Sequence, residues 1–134
     1  MPCQNRNVNR EIAPSSIAPT AANYAHAVLS ESSKRWLHTS GIVPIAPDWS
    51  VPASIADQAA TVWANLMAIL ADADMAATDV VSVTTYVVAG QPLAPVMAAR
   101  DTALGGHRVA STLVTVPALA RPEWLMEIAL VASA

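Results

Sequence analysis

The spacing of apolar residues predicts a long amphipathic helix in the middle of the chain. Over residues 54–72 the apolar positions recur every three or four residues, as on one buried helix face. These positions are Ile55, Ala59, Val62, Leu66, Ile69 and Leu70. Ser54 is a suitable N-cap residue, and Asp57 follows it three positions later. A second, shorter helix is predicted over 96–104, where a Gly-Gly pair ends it.

Runs of apolar and β-branched residues predict the strands of a sheet. Three runs in the second half of the chain, 79–88, 109–116 and 124–132, are dense in Val, Thr, Leu and Ile. Nearer the N-terminus, 24–29 and 35–43 flank the turn-forming sequence Glu-Ser-Ser-Lys and predict an antiparallel hairpin. The element order ββαβαββ predicts an α+β fold, in which two helices cover one face of a mixed sheet.

The first residues are polar, and the whole chain has the length of one domain. We predict a single domain over 1–134 in which 1–7 is flexible, and a short edge strand near 8–13. Cys3 is interpreted as an exposed free thiol and not as a catalytic residue. Because this leader has no apolar core of the secretory kind, we expect a cytoplasmic location.

The composition points to association between copies of the chain. Apolar residues make up 54% of the chain and charged residues 13%, which is an apolar excess for a small monomer. Burial of surface in an oligomer would account for this excess. No apolar run approaches the roughly 20 residues of a membrane span, so we expect no membrane insertion. The net charge of −3, without a basic cluster, argues against a nucleic-acid partner.

The three histidines do not predict a metal site. His26, His38 and His107 are dispersed along the chain, and no cysteine pair or carboxylate lies at ligand spacing from them. We therefore expect neither a metal ion nor another cofactor.

Glu127 interrupts the last apolar run, between a methionine and an isoleucine. A carboxylate buried there without compensation would be costly, so it requires a partner, a proton or a water-lined cavity. Two interpretations remain open. Glu127 is either an acid or base in a pocket, or one half of an ion pair that stabilises an interface. The candidate partners for that ion pair are Lys34, Arg108 and Arg121.

Several short motifs resemble the reactive intermediate deaminase family, also called Rid or YjgF. The resemblance covers nearly the whole chain and includes the Gly-Gly-His-Arg run and the strand that contains Glu127. The other matching segments are Asn23–Val28, Thr39–Ile42, Gln58-Ala59, Asn65-Leu66 and Asp79–Val81. The resemblance implies a chorismate-mutase-like fold and a homotrimer with a central barrel-like core. It also implies a pocket for a small-molecule substrate at each subunit interface.

The resemblance assigns roles to particular residues. It implies that Glu127 positions or activates a hydrolytic water, that Tyr24 forms a wall of the pocket, and that Ser40 and Gly41 bind substrate. From the residues alone, Tyr24 could equally be an ordinary half-buried strand tyrosine, and Ser40-Gly41 an ordinary turn.

Ser111 is the main departure from the family pattern. It occupies the position where active relatives carry the arginine that binds the substrate carboxylate. A serine hydroxyl supplies no charge, and a lost charge-assisted hydrogen bond forfeits about 1.5–3 kcal/mol. Met97, in place of a polar asparagine, and Leu113 make the expected cleft larger and more apolar. Arg108 lies an odd number of residues from Ser111 along the strand, so it should point to the opposite face.

Two functions are consistent with this pattern. The first is an enzyme that acts on an imine, enamine or related conjugated intermediate, by deamination and hydrolysis or by elimination, tautomerisation or cyclisation. Its activity on small amino-acid-derived imines should be reduced because Ser111 replaces arginine. The alternative is a non-catalytic trimeric module that binds an apolar metabolite or a protein partner.

Overall fold

The computed structural model describes residues 8–134. The segment predicted to be flexible, 1–7, and its Cys3 lie outside the described residues. The strands are β1 (Asn9–Ile12), β2 (Ala27–Ser30), β3 (Trp36–His38), β4 (Val80–Val88), β5 (Ala110–Val116) and β6 (Met126–Ser133). The helices are α1 (Ile55–Asp72) and α2 (Ala94–Leu104), with a 3₁₀ turn at Ala77–Asp79.

Two helices pack on a mixed four-stranded sheet, so the predicted α+β architecture is confirmed. The sheet has the order β3-β6-β4-β5. Its central strands β4 and β6 are antiparallel, whereas β4 and β5 are parallel because α2 forms the crossover between them. The first two strands, β1 and β2, form a separate antiparallel pair, in which β1 is the predicted edge strand.

The predicted hairpin between the segments 24–29 and 35–43 is wrong. Strand β2 pairs with β1, and β3 pairs with β6 at the edge of the main sheet. Leu37 of β3 lies opposite the buried Ala132, so this pairing covers part of the core with an apolar side chain. A local turn suggests a hairpin, but the partner that buries more apolar surface determines the pairing.

Helix α1 provides one wall of the core, as its apolar spacing predicted. Ser54 caps the helix by accepting a hydrogen bond from the backbone N–H of Asp57 at 3.2 Å. Its buried face, which includes Val62 and Leu66, packs against the sheet in one cluster of apolar side chains. Neither α-helix in the described part of the chain is long and apolar enough to cross a membrane.

The two faces of the main sheet have different surroundings. Val83 and Val87 of β4 are buried in the core that the helices cover. Ser82, Thr84 and Tyr86 alternate with them and are only half-buried on the opposite face. We call this opposite side the open face, because no helix in the described residues covers it. The face on which a side chain lies therefore determines which other side chains it can lie beside in a site.

Candidate functional site

A cleft of about 220 Å³ lies between α2 and the edge strand β5. Four residues that the resemblance assigned to a substrate pocket line it, together with three residues that sequence analysis did not select. The first four are Tyr24, Met97, Ser111 and Leu113, and the other three are Ala22, Leu93 and Arg100. The walls are mostly apolar with a few polar groups, as in many small-molecule sites.

Strand register explains why Ser111 and Leu113 share this cleft. Ser111 lies opposite Val83 and Leu113 opposite Thr85, so both side chains point to the helix-covered side of the sheet. Met97 on α2 lines the same cleft from the helix side. The structure therefore brings Met97, Ser111 and Leu113 together in one cleft.

Tyr24 reaches the cleft from a loop and not from a strand. The predicted strand 24–29 is shorter, because β2 begins at Ala27. The backbone N–H of Ala25 donates to the carbonyl of Val109 at 2.8 Å, which attaches the loop to the start of β5. Arg108 donates a hydrogen bond to the carbonyl oxygen of Tyr24. These contacts position the tyrosine beside Ser111.

Arg100 is the residue that sequence analysis missed. Its side chain is buried, and its Nη1 lies 3.4 Å from the hydroxyl oxygen of Ser111. The cleft therefore contains a fixed positive charge, although the strand position carries a serine. A signal for it exists in the sequence, since Arg100 follows Met97 by three residues on the predicted helix and must share its face.

Glu127, Gly41 and Ser40 form a second group, away from the cleft. A Cβ atom built on Gly41 would lie 2.5 Å from Oε2 of Glu127, so the carboxylate is packed directly over the glycine backbone. Ser40 itself is exposed. Backbone hydrogen bonds join Thr39 to Leu130 and Ile42 to Ile128. Between these two hydrogen bonds, Ser40 and Gly41 lie opposite a single residue of β6, as in a β-bulge.

The side chain of Glu127 is half-buried and has no ion pair or hydrogen bond within residues 8–134. The cations proposed as its partners lie elsewhere. Arg108 pairs with Glu11 at 3.2 Å, and the guanidinium of Arg121 lies 5.7 Å from the ring centre of Trp124. Lys34 forms no ion pair among these residues. Within one chain, the ion-pair interpretation of Glu127 is not supported.

The cleft and the Glu127 group lie on opposite faces of the sheet. Ser111 is paired with Val83 and Glu127 with Tyr86 on the same strand β4. Positions 83 and 86 are separated by an odd number of residues, so their side chains, and those of their partners, point to opposite sides. The candidate residues therefore fall into two groups, here called half-sites, and one copy does not bring them together.

Arg108 and the three histidines have partners outside this cleft. A larger cleft, of about 500 Å³, is lined by the loop 13–20 and by Arg108, whose charge Glu11 already balances. His26 and His107 bond to backbone carbonyls, and His38 stacks on Trp36. In residues 8–134, no group of three His, Cys, Asp or Glu side chains is placed to hold a metal ion.

One carboxyl group in the loop before α1 has an altered acidity. A hydrogen bond from the hydroxyl of Ser50, at 2.6 Å, lowers the pKa of Asp48 below its ordinary value. The backbone N–H of Ser50 donates to the same oxygen and acts in the same direction. Asp48 is fully exposed and does not line the cleft, so this shift concerns the loop and not the candidate site.

Comparisons with known proteins give a consistent result. The model of a family described as endoribonuclease L-PSP matches residues 15–134. A Yersinia pestis protein of unknown function, YyfB of the conserved Rid family, is similar in structure, with 32% identity and a TM-score of 0.85. That alignment covers 95% of this chain and 99% of the Yersinia chain. No curated protein matches the sequence.

Two further solved structures have the same fold. YEO7 of yeast is 25% identical with a TM-score of 0.69, and the alignment covers 93% of this chain and 98% of the yeast chain. Escherichia coli TdcF, solved with bound serine, is 24% identical with a TM-score of 0.69. That alignment covers 91% of this chain and 93% of the TdcF chain.

Proposed function

Because this chain belongs to the endoribonuclease L-PSP family, also called the Rid or YjgF family, we propose that it is a small-molecule enzyme. Its substrate is an imine, an enamine or a related conjugated intermediate, bound in a pocket between two copies of the chain. It acts in the cytoplasm, on a small molecule and not on nucleic acid.

The separation of Ser111 and Glu127 on opposite faces of the sheet is the observation that carries this proposal. A pocket that uses both residues requires Glu127 from one copy and the cleft from another. Proteins of this family are typically homotrimers. The open face supports such an assembly, since Val114 and Trp36 are 40% and 52% exposed there. We propose that the open faces of three copies form the central barrel-like core.

In the deamination reaction, Glu127 acts as the base. It accepts a proton from a water molecule while the water oxygen bonds to the imine carbon. Glu127 passes this proton to the nitrogen as the carbon–nitrogen double bond becomes single, and it then transfers the hydroxyl proton of the carbinolamine to the nitrogen. The carbon–nitrogen bond breaks as the carbonyl forms, so that ammonia and a carbonyl compound leave. Tyr24 orients the substrate through its phenol, and Ser40, Gly41 and Ser111 offer uncharged hydrogen-bonding groups. The same base would serve a tautomerisation or an elimination.

The cleft favours a substrate with an apolar body. Leu93, Met97 and Leu113 line it, and Ser111 adds no charge on the strand side, where the resemblance assigns an arginine. We therefore expect slower turnover of small amino-acid-derived imines than of bulkier ones. The alternative, a non-catalytic trimer that binds an apolar metabolite or a protein, would use the same cleft without Glu127.

Turnover of Glu127→Gln separates the enzyme from the binding module. Ammonia release is measured from 2-iminobutyrate and from the imine of a larger apolar amino acid, both freshly generated. We expect the substitution to lower kcat by about 100-fold or more, because loss of a general base typically has that effect. Glu31→Gln, at an exposed turn, is the matched control and should retain activity. Equal turnover by wild type and Glu127→Gln would exclude Glu127 as the base, and no turnover by wild type would leave the binding module.

A further inference from the structure

Arg100 is a buried cation whose bonding capacity is not used up within the chain. Its residue is 7% exposed, and its Nε donates to Oδ1 of Asp101 at 3.1 Å. Nη2 lies 3.1 Å from the same oxygen, but the direction of its N–H groups gives no hydrogen bond, and it has no other partner. A buried guanidinium normally has all its donors satisfied. Because Nη2 is closed to solvent within the chain, the donors left for a ligand are the two N–H groups of Nη1, whose only contact is with Ser111.

The position of Arg100 connects those donors to the cleft. The guanidinium lines the same cavity as Tyr24 and Met97, and its Nη1 is 3.4 Å from the Ser111 hydroxyl. At that distance the contact with Ser111 is long for a hydrogen bond. The arginine thus comes from helix α2 and approaches, from the opposite wall, the strand position where a cation was expected.

We propose that Arg100 binds an anionic group of the substrate and so determines the specificity of the cleft. This inference rests on the proposed function, since it concerns the same site. Ser111 then acts as a hydrogen-bonding neighbour of the guanidinium, and the cation is supplied by the helix instead of the strand. Through Nη1 the guanidinium can donate charge-assisted hydrogen bonds to the oxygens of a carboxylate.

The charge balance favours a monoanion. Asp101, whose side chain is 40% exposed, already compensates part of the charge of Arg100. Asp101 repels any anion beside Arg100, and it repels a dianionic phosphate about twice as strongly as a carboxylate. The apolar walls at Leu93, Met97 and Leu113 suit a hydrocarbon segment attached to that carboxylate. The ligand class is therefore a carboxylic acid with an apolar body.

Binding of hexanoate and of hexanamide to the full chain tests the proposal. The two probes have the same hydrocarbon segment and differ in charge, and backbone amide shifts in NMR titrations report their affinities. We expect hexanoate to bind wild type at least about tenfold more tightly than hexanamide, as for a charge-assisted pair. Arg100→Met should remove this preference while hexanamide still binds. Arg10→Met, which removes an exposed arginine from β1, should leave it unchanged.

A double variant tests whether Arg100→Met acts on binding only indirectly, by changing the structure of the cleft. In Arg100→Met/Ser111→Arg, the cation is returned to the strand side of the same cleft, so the preference for hexanoate should reappear. Failure of the double variant to regain it, when the single variant has lost it, would indicate a structural role for Arg100. Equal affinity of wild type for the two probes, or an unchanged preference in Arg100→Met, would overturn the proposal.

These outcomes are independent of turnover. If wild type releases no ammonia from any imine but loses its carboxylate preference in Arg100→Met, the enzyme proposal fails and the role of Arg100 stands. If turnover depends on Glu127 while Arg100→Met still prefers hexanoate, the enzyme stands and this inference fails.

Discussion

The carboxylate of Glu127 lies over Gly41 so closely that a Cβ atom there would be 2.5 Å from Oε2 and 3.0 Å from Cδ. Real contacts of a Cβ atom are longer, so the absence of a side chain at Gly41 is what permits this position of the acid. Gly41 does not have the positive φ of Gly90, Gly105 and Gly106. The requirement for glycine is therefore one of space and not of backbone conformation.

Gly41→Ala should move the Glu127 carboxylate without unfolding the protein. The flexible end of the glutamate can shift, and the backbone at Gly41 accepts alanine. Because a displacement of about 1 Å can cost 100-fold in rate, we expect kcat to fall by at least about tenfold, with a smaller change in KM. Steady-state ammonia release and the thermal unfolding midpoint are the measurements.

A shorter acid provides the control for this variant. In Gly41→Ala/Glu127→Asp the steric conflict is relieved, so the two substitutions together should cost less than the sum of their separate effects. Full activity of Gly41→Ala alone would show that the position of the carboxylate does not matter.

Mixed oligomers test whether the two half-sites come from different copies. Met97→Trp fills the cleft and Glu127→Gln removes the base, so each variant alone should be inactive. If the site lies between copies, equal unfolding and co-refolding of both variants should restore roughly a quarter of wild-type activity, by random assortment of neighbours. Activity that stays at the level of the separate variants would place both residues in one chain's site.

Arg100→Met should lower carboxylate binding without lowering stability. The substitution removes only one member of the pair with Asp101, but the remaining carboxylate is 40% exposed and can be solvated, so it is not left as an uncompensated buried charge. We expect an unchanged or higher free energy of unfolding in urea. A clear loss of stability would mean that Arg100 is held mainly for structural reasons, through Asp101 and Ser111.

The strand position should accept a cation only when the helix cation is absent. Nη1 of Arg100 lies 3.4 Å from the present serine oxygen, so Ser111→Arg alone would place two guanidinium groups side by side. Repulsion between them should lower the thermal midpoint. In the Arg100→Met background the same substitution should raise kcat/KM for 2-iminobutyrate by about tenfold over Arg100→Met, since one charge-assisted pair is gained. A thermal midpoint for Ser111→Arg equal to that of wild type would contradict this explanation.

The sequence identified much of the cleft because its residues carry local signals. The resemblance to the family selected Met97, Ser111 and Leu113 as cleft residues, and the periods of a helix and a strand placed them on elements that pack together. Arg100 was missed although it shares a helix face with Met97, because a single arginine on a surface helix is ordinarily solvated. Only the packing of α2 against β5 buries its guanidinium beside Ser111.

By itself, the sequence determined the elements and the fold class. Helix α1, its Ser54 cap and the three apolar strands follow from periodicities of a few residues, which depend on local geometry. Tertiary structure alone decided that β3 pairs with β6 and that β2 pairs with β1, because the partner of a short strand depends on which buried surface it completes. It also decided that Ser111 and Glu127 face opposite ways, since register across β4, and not spacing along the chain, fixes that relation.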